Sequence, residues 1–334
     1  MDIIVTRGRR IFSDGKHNAF TGICRHGDRT FVTFRSGVDH MTPGSTIRVI
    51  ASTDLQTWSL AAEKGTVSPT IDNRDPKVAS FKGTLFVYYP EIARSGRGDE
   101  GRLRRGMVFT STDGVRFGEP QEVRGLSRNM WLWWFREWEG VLYGAGYSGD
   151  RRLLARSDDG LAWEEMTDLP VEAGNECSFD FDPDGTLWAL VREDSFGSIP
   201  TICTLKPPYT EVERKFRLPM ELKGPMLKRL PGGSVIVCRQ WDMRGGHKRN
   251  TRTQLFWLPD GEPLQYVCTL PSGGDTSYAG WLDTGPGRAV LSYYSSHEYR
   301  MAVPPDHPDL KRDSAIAEHS SPADIFLADI CYVP

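Results

Sequence analysis

Residues 174–192, GNECSFDFDPDGTLWALVR, form a complete β-hairpin signal in one stretch of sequence. An apolar and polar alternation leads into a Pro-Asp-Gly turn at positions 183–185, and a second apolar run then ends at Arg192. Such a turn supplies the residue with positive φ that a chain reversal needs. Because the two open ends of a hairpin lie on one side, we expect Glu176 and Arg192 at the same end of the strands, away from the turn.

The same unit, a glycine turn followed by an apolar strand, recurs along the chain. Its glycines are separated by 56, 57, 45, 48 and 54 residues, and they are Gly27, Gly83, Gly140, Gly185, Gly233 and Gly287. A repeat of about 50 residues built from short strands is typical of propeller blades. The sequence therefore predicts an all-β fold, a six-bladed β-propeller of four-stranded antiparallel blades. We expect a single domain over residues 1–334, with strands at 2–6 and 325–333 closing the last blade.

Composition limits the function classes and the location. A formal net charge of −3 argues against general binding of nucleic acid or of a membrane surface. No apolar run approaches the roughly 20 residues of a membrane span, and the first twelve residues lack the apolar core of a signal peptide. The six cysteines have no CxxC spacing, so we expect free thiols and a cytoplasmic protein without a cofactor. The oligomeric state stays open.

Three turns share the pattern Ser-x-Asp-x-x-x-aromatic. They are Ser52/Asp54/Trp58, Ser111/Asp113/Phe117 and Ser157/Asp159/Trp163. In such a turn the Asp side chain caps local backbone N–H groups, while the aromatic ring packs between neighbouring sheets. Together with the hairpin repeat, these turns resemble the Asp-box (BNR) repeats of sialidase-like propellers, at a spacing one residue shorter than usual. The resemblance implies the propeller fold and a carbohydrate ligand.

The resemblance extends to part of the sialidase site. Arg192 falls where sialidases keep an arginine of their carboxylate-binding triad, and Tyr278 in SGGDTSYAGW resembles their nucleophilic tyrosine. Two positions depart from the family pattern. Phe181 corresponds to the glutamate that supports the nucleophile, and His17 stands where the first triad arginine is expected. The resemblance thus implies a divergent member, and sialic acid itself stays open as the substrate.

Charged and aromatic residues gather where the predicted strands begin and end at one rim. At strand starts these are His17, Arg74, Asp75, Glu176, Asp275 and Tyr278; at strand ends they are Arg35, His40, Arg192, Arg239 and His297. Like charges repel when buried together, so a purely structural ring has no need for such a set. We therefore expect these residues to surround the mouth of the central channel and to form a site.

Exo-acting glycoside hydrolysis of a small, anionic sugar is the function that this set favours. Tyr278 can act as nucleophile only if a carboxylate takes its proton, because a free phenol has a pKa near 10. Glu176 or Asp275 can do so, Asp75 is the candidate acid with Asp39 as second choice, and His297 completes the catalytic candidates. The candidates for substrate binding are Arg35, Arg74, Arg192, Arg239, His17 and His40, since arginine binds carboxylates bidentately.

Three alternatives stay open. A carbohydrate-binding propeller without chemistry would keep the funnel, and the phenylalanine at 181 favours it. A metal-dependent sugar deacetylase or lyase would use His17, His40 or His297 with Asp75 or Asp275, which are acceptable ligands without a short-range spacing. A protein-binding propeller is the third, because fold does not settle function. The charged loop at 94–105 is either a solvated loop or a flap over an anionic substrate.

Overall fold

The computed structural model is an all-β protein whose sheets form the six blades of a β-propeller. It describes residues 1–96, 99–127, 129–149, 151–171, 174–193, 199–242, 250–300 and 322–333. The six sheets are antiparallel and consist of four strands, except that the innermost strand of blade 2 is split in two. The predicted fold class is confirmed. A single domain over residues 1–334 stays a prediction.

The strands follow the chain blade by blade. The first, β1 (Asp2–Phe12), belongs to blade 6. Blade 1 contains β2 (His17–His26), β3 (Arg29–Gly37), β4 (Thr46–Ser52) and β5 (Ser59–Lys64). Blade 2 contains β6 (Ile71–Asn73), β7 (Lys77–Phe81), β8 (Thr84–Ala93), β9 (Arg102–Ser111) and β10 (Gln121–Glu122). Blade 3 contains β11 (Trp131–Trp138), β12 (Val141–Ser148), β13 (Arg151–Ser157) and β14 (Glu164–Asp168).

The second half of the ring repeats this order. Blade 4 contains β15 (Cys177–Phe181), β16 (Leu187–Val191), β17 (Thr201–Leu205) and β18 (Val212–Arg217). Blade 5 contains β19 (Lys223–Leu230), β20 (Gly233–Asp242), β21 (Asn250–Pro259) and β22 (Gln265–Thr269). Blade 6 contains β23 (Thr276–Gly285), β24 (Arg288–Ser295) and β25 (Asp324–Val333), together with β1. The short helix α1 (His297–Arg300) lies between β24 and β25 in the sequence.

Both chain ends close blade 6, as the sequence predicts. Strand β1 pairs antiparallel with β25 from Asp2 opposite Val333 to Phe12 opposite Ile325, and β25 continues the sheet through β24 to β23. Each end of the chain thereby supplies backbone partners to the other. Because both chain ends contribute a strand to blade 6, this blade has its four strands and closes the ring between the last repeat and the first.

The hairpin formed by β15 and β16 defines the two ends of the propeller. Strands β15 and β16 pair from Cys177 opposite Val191 to Phe181 opposite Leu187, and the backbone N–H of Arg192 donates to the carbonyl of Glu176 at 2.9 Å. We call the end that holds Glu176 and Arg192 the upper rim. The opposite end, where tight turns join the innermost strand of a blade to the next strand, is the turn face.

The three Ser-x-Asp turns cap themselves in the same way. Asp113 Oδ1 accepts from the backbone N–H groups of the residues two and three positions later, at 2.9 and 2.8 Å, and Asp54 and Asp159 do likewise. Behind them the aromatic ring joins two blades: Phe117 contacts Phe31 of blade 1, with ring centroids 6.5 Å apart. The turns therefore help to hold neighbouring sheets together.

The described residues include all six cysteines, and each of them is a free thiol. Within the same part of the chain, no helix has the length and apolar character that crossing a membrane requires.

Candidate functional site

The innermost strands are irregular where they reach the upper rim. Register shifts interrupt β2 and β23 close to this end, and β6 and β7 are separated by Arg74, Asp75 and Pro76. Four non-glycine residues at these places have positive φ, namely Phe20 (65°), Asp75 (39°), Ser277 (94°) and Tyr278 (50°). Such backbone conformations are costly and concentrate at functional sites, because they turn particular side chains out of the regular alternation.

Tyr278 and Glu176 form a buried polar pair at the rim. Tyr278 Oη donates a hydrogen bond to Glu176 Oε1 at 2.5 Å, and both side chains are buried. Arg192 Nη1 lies 3.0 Å from the same Oε1, while the backbone N–H of Gly224 donates to Oε2 at 2.8 Å. Gly224 also has a positive φ of 56°, and a Cβ there would lie 3.0 Å from the Tyr278 ring. The carboxylate is thus fixed from three sides.

Electrostatics assigns the proton of this pair to the tyrosine. Burial pushes the pKa of Glu176 upward, but the charge of Arg192, the Tyr278 hydrogen bond and Arg239 more than compensate, so its pKa lies below the ordinary value. Burial raises the pKa of Tyr278 well above its ordinary value, and Glu176 adds to this rise while Arg239 and Arg192 oppose it. At neutral pH the resting pair is therefore a phenol beside a carboxylate.

Asp275 is the centre of a second buried network. Its Oδ1 accepts from Tyr294 Oη at 2.6 Å and from Arg239 Nη1 at 3.1 Å. Its Oδ2 contacts His17 Nε2 at 2.8 Å and also His40 Nδ1. The two networks meet through Arg239, whose guanidinium lies over the Tyr278 ring, 5.4 Å from its centroid. Burial lowers the pKa of His17, and Asp275 opposes this only in part. The lowered pKa favours the neutral imidazole.

Asp75 is a buried acidic group of the rim whose pKa is raised. It is buried, and burial raises its pKa to about 6, with Glu176 adding to the rise and Arg74 and Lys77 opposing it. Among the described residues, Asp75 Oδ1 has no hydrogen-bond partner. Arg74 Nε lies 3.7 Å from that oxygen. A carboxyl group with this pKa can hold a proton near neutral pH and can also release it.

A fourth carboxylate, Asp72 in β6, binds several arginines at the same end of blade 2. Asp72 Oδ1 accepts from Arg35 Nε at 2.7 Å, and Asp72 Oδ2 accepts from Arg94 Nε at 2.8 Å and from Arg74 Nη1 at 3.4 Å. The other donors of Arg35 bond the carbonyls of Asp39 and Thr42 at 2.6 and 2.9 Å. Arg35 is therefore fully buried and bonded through each of its three nitrogens, and it links blade 1 to Asp72 of blade 2.

The structure brings most of the predicted site residues together. Tyr278, Glu176, Asp75, Asp275, Arg74, Arg192, Arg239, His17 and His40 all belong to the connected networks of the upper rim. Two predicted residues lie differently. His297 Nδ1 bonds Ser295 Oγ at 2.9 Å, and its ring lies against Phe326. Asp39, the second choice for the acid, accepts from the backbone N–H of Met41 at 3.0 Å within its own loop.

The predicted correspondence at Phe181 is wrong. Phe181 ends β15 at the turn face, where its ring stacks on Trp138 with centroids 5.1 Å apart. At a rise of about 3.3 Å per residue, it lies roughly 16 Å along the strand from Glu176. Glu176, directly before the strand, is the carboxylate that accepts the hydrogen bond from Tyr278 Oη.

Several residues of the site were not singled out from the sequence. Asp72, Lys77, Arg94, Tyr147 and Tyr294 all face the predicted ones, and Arg94 begins the loop that was interpreted as solvated or as a flap. Lys77 Nζ donates to the carbonyl of Thr21 at 2.9 Å, and burial lowers its pKa to about 8. A signal in the sequence could have identified two of them: Lys77 follows Arg74 and Asp75 closely, and Tyr294 lies near the rim end of β24.

Comparison with known proteins shows similarity at the level of the fold. No protein-family model matches the chain, and no curated protein matches its sequence. A protein of unknown function from Dyadobacter fermentans DSM 18053 has a TM-score of 0.76 and 16% identity, covering 99% of both chains. The phage phi92 endosialidase has a TM-score of 0.73 and 9% identity over 98% of this chain and 69% of its own. The NanB sialidase from Streptococcus pneumoniae has a TM-score of 0.67 and 10% identity over 96% of this chain and 70% of its own. The chain thus has the propeller fold that these sialidases have.

Proposed function

We propose that the protein is an exo-acting, sialidase-like glycoside hydrolase of a small, anionic sugar, with Tyr278 as nucleophile. The observation that carries this proposal is the 2.5 Å hydrogen bond from Tyr278 Oη to Glu176 Oε1, made on a backbone of positive φ. A tyrosine with a dedicated, ionised base is what nucleophilic attack by a phenol needs. The fold neighbours support a glycosidase, and the substrate is inferred from the charges.

The pair suggests a two-step reaction. Tyr278 Oη attacks the anomeric carbon as its proton passes to Glu176, and the departing oxygen takes a proton from Asp75. A water, deprotonated by the Asp75 carboxylate, then attacks the glycosyl-tyrosine, and the proton on Glu176 returns to the phenolate. Because the pKa of the resting phenol lies far above that of the carboxylate, proton transfer must accompany bond formation rather than precede it.

Three guanidinium groups support an anionic substrate. Arg192 and Arg239 flank the Tyr278 ring and its carboxylate, and Arg74 donates to the carbonyl of His40 at 2.7 Å. Burial lowers the pKa of Arg74, but Asp75 and Asp72 more than compensate and keep it charged. Planar guanidinium groups bind carboxylates bidentately, so we assign recognition of the acidic group to these three. Arg35 is assigned a supporting role instead.

The test is a screen of the purified protein against aryl glycosides of neutral, uronic, sialic and other ulosonic sugars. We expect turnover of an acidic glycoside, and we expect Tyr278→Phe to abolish turnover while sparing binding. Tyr293→Phe is the matched control, because Tyr293 Oη donates to the carbonyl of Pro271 and lies outside the two networks. Full activity of Tyr278→Phe would exclude the mechanism. Loss of activity in Tyr293→Phe would show that removing a tyrosine hydroxyl from this blade disturbs its structure, so that the loss in Tyr278→Phe could not be assigned to the nucleophile.

One observation favours a second candidate, a metal-dependent sugar deacetylase or lyase. Ligand atoms of His17, His40 and Asp275 lie within 4.8 Å of one another, which suits a divalent cation. Arg239 and Arg74 contact the same groups, at 3.1 Å from Asp275 and 3.4 Å from His40, and their charges oppose a cation. Running the screen with and without EDTA separates the two: activity lost on chelation would move the reaction to the histidines.

Two further expectations belong to the proposal. We propose that the three Ser-x-Asp turns are divergent Asp-boxes, supported by their shared hydrogen bonds. We also keep the cytoplasmic location as a prediction. A propeller that only binds carbohydrate stays an alternative, and the hydrogen bond between Tyr278 and Glu176 supports the hydrolase over it.

A further inference from the structure

A cavity of about 760 Å³ opens on the turn face, at the opposite end of the central channel from Tyr278. It lies between the ends of β11, β15 and β19, that is, between blades 3, 4 and 5. This volume falls within the roughly 300–1,000 Å³ of small-molecule sites. Halfway along the channel, Gly22, Lys77 and Trp134 line a space of only about 30 Å³, room for about one water. A ligand in the turn-face cavity would therefore be separate from one at the upper rim.

An aromatic platform forms one wall of this cavity. The indole of Trp138 stacks on Phe181 with the two rings 17° apart, and Phe181 is itself held edge-on by Tyr143 and Tyr209. Trp138 is half-buried, so one part of the indole is fixed and the remainder lines the cavity. Rigid, partly exposed indoles are well suited to stacking against a flat ligand face.

The polar groups of the cavity are acceptors whose charge is already balanced. Arg229 is buried, and all five of its N–H groups are used: Asp182 receives two of them, Asp260 two and Ser234 one, at 2.7–3.1 Å. Lys228 Nζ lies 3.2 Å from Asp180 and 3.3 Å from Asp283. The aspartate oxygens keep lone pairs for hydroxyl donors, but they lack the excess charge that would hold a cation.

We infer that this cavity is a second binding site, for a neutral saccharide, with a pyranose ring on Trp138 and its hydroxyls donating to Asp182 and Asp260. A pyranose offers the two features that the cavity complements, an apolar C–H face and a ring of hydroxyl donors. This inference goes beyond the proposed function, since it holds whether or not the upper rim hydrolyses anything. In an enzyme that acts on glycans, such a site would keep the substrate chain on the protein.

The test measures binding by saturation-transfer NMR and calorimetry with cellobiose, lactose and maltotriose as probes. The Tyr278→Phe variant is the background, so that no probe is consumed during the titration. We expect millimolar binding of at least one probe, with saturation transfer to the ring C–H protons. Trp138→Ala in this background should weaken binding about tenfold, because the platform is lost.

A second variant keeps the test decisive if Trp138→Ala unfolds. Asp260 is exposed, and Asp260→Ala removes two acceptor oxygens without opening the core; we expect binding about threefold weaker. Both variants on the wild-type background should hydrolyse aryl glycosides as the wild type does, which separates this site from the rim. Absence of binding by all three probes, or unchanged affinity in Asp260→Ala, would overturn the inference.

Discussion

The two ends of the propeller differ in where they place charge and backbone strain. On the turn face, positive φ lies in tight turns, on glycines such as Gly140 and Gly232 and on the exposed residues Lys82 and Glu139, and charges alternate in sign: Asp180 lies 3.3 Å from Arg136 and 3.2 Å from Lys228. At the upper rim, positive φ falls on Tyr278 and other non-glycine residues, and donors converge on a few buried carboxylates. The positive φ of Lys82 and Glu139 belongs to tight turns that join neighbouring strands. The upper rim accepts strain to direct particular groups to one point, which indicates function.

The largest expected effect is a loss of kcat from a substitution at the rim end of β15, compared with a substitution at its other end. Glu176→Gln keeps the size of the side chain but removes the base, so we expect kcat to fall roughly 10²–10⁴-fold with little change in KM. Asp180→Asn, at the other end of β15, removes the charge that Arg136 and Lys228 contact, while Lys228 keeps Asp283. It should leave kcat unchanged and lower the free energy of unfolding by about 1–3 kcal/mol. Steady-state kinetics measures kcat, and thermal melts measure stability. If the two variants lose kcat equally, the upper rim is not catalytically distinct from the turn face.

The next effect concerns the protonation of Asp75. Because the pKa of Asp75 is about 6, the acid form dominates below that pH, and kcat/KM should decrease as the pH rises above it. Asp75→Asn should lower kcat/KM about 10²-fold and remove this descending limb. A pH profile of kcat/KM from 4 to 9 measures it. A limb that persists near pH 6 in the variant would assign it to another group.

The same carboxyl also predicts a change of stability with pH. Its folded pKa is raised, so the unfolded state loses its proton first, near the ordinary value of 3.8, and stability falls as the pH rises toward about 6. Above that pH the wild type has lost up to about 3 kcal/mol that Asp75→Asn does not lose. The melting temperature of the variant should exceed that of the wild type at pH 8 and not at pH 3.5.

A smaller effect comes from two glycines with the same conformation at opposite ends. Gly224→Ala places a Cβ 3.0 Å from the Tyr278 ring, whereas Gly232→Ala on the turn face meets no atom within 4 Å. Both have positive φ, so both should lose about 1–2 kcal/mol of stability. Only Gly224→Ala should also lower kcat, by about tenfold, because it displaces the nucleophile. If Gly232→Ala lowers kcat equally, the loss reflects strain and not the position of Tyr278.

Much of the fold could be predicted because its units are local. The sequence of each blade contains a hairpin with its own turn, so the number of recurring turn glycines gives the number of blades. The terminal strands had no partner within a repeat, which predicted their pairing with each other, and β1 and β25 do pair. The hairpin argument also placed Glu176 and Arg192 at one rim, since it needs only the direction of two strands.

The partners within the site could not be predicted, because they depend on irregular backbone and on distances across the channel. A bulge and two residues of positive φ turn Tyr278 toward Glu176, and nothing in the sequence marks where β23 loses register. Aligned by pattern alone, the supporting carboxylate fell on Phe181, five residues too far along β15. The burial of Arg35 depends in the same way on Asp72, which belongs to the next blade.

The smallest expected effect concerns two histidines that the sequence placed in one site. His297 lies against Phe326 and bonds Ser295, whereas His17 bonds Asp275 at the rim. We expect His297→Ala to change kcat/KM by less than about threefold, and His17→Ala to lower it at least about tenfold, because Asp275 then lacks a buried donor. Kinetics at one pH, with circular dichroism to confirm folding, measures both. A large loss of kcat/KM in folded His297→Ala would return this histidine to the catalytic set, and the boundary between rim and surroundings would then have to include α1.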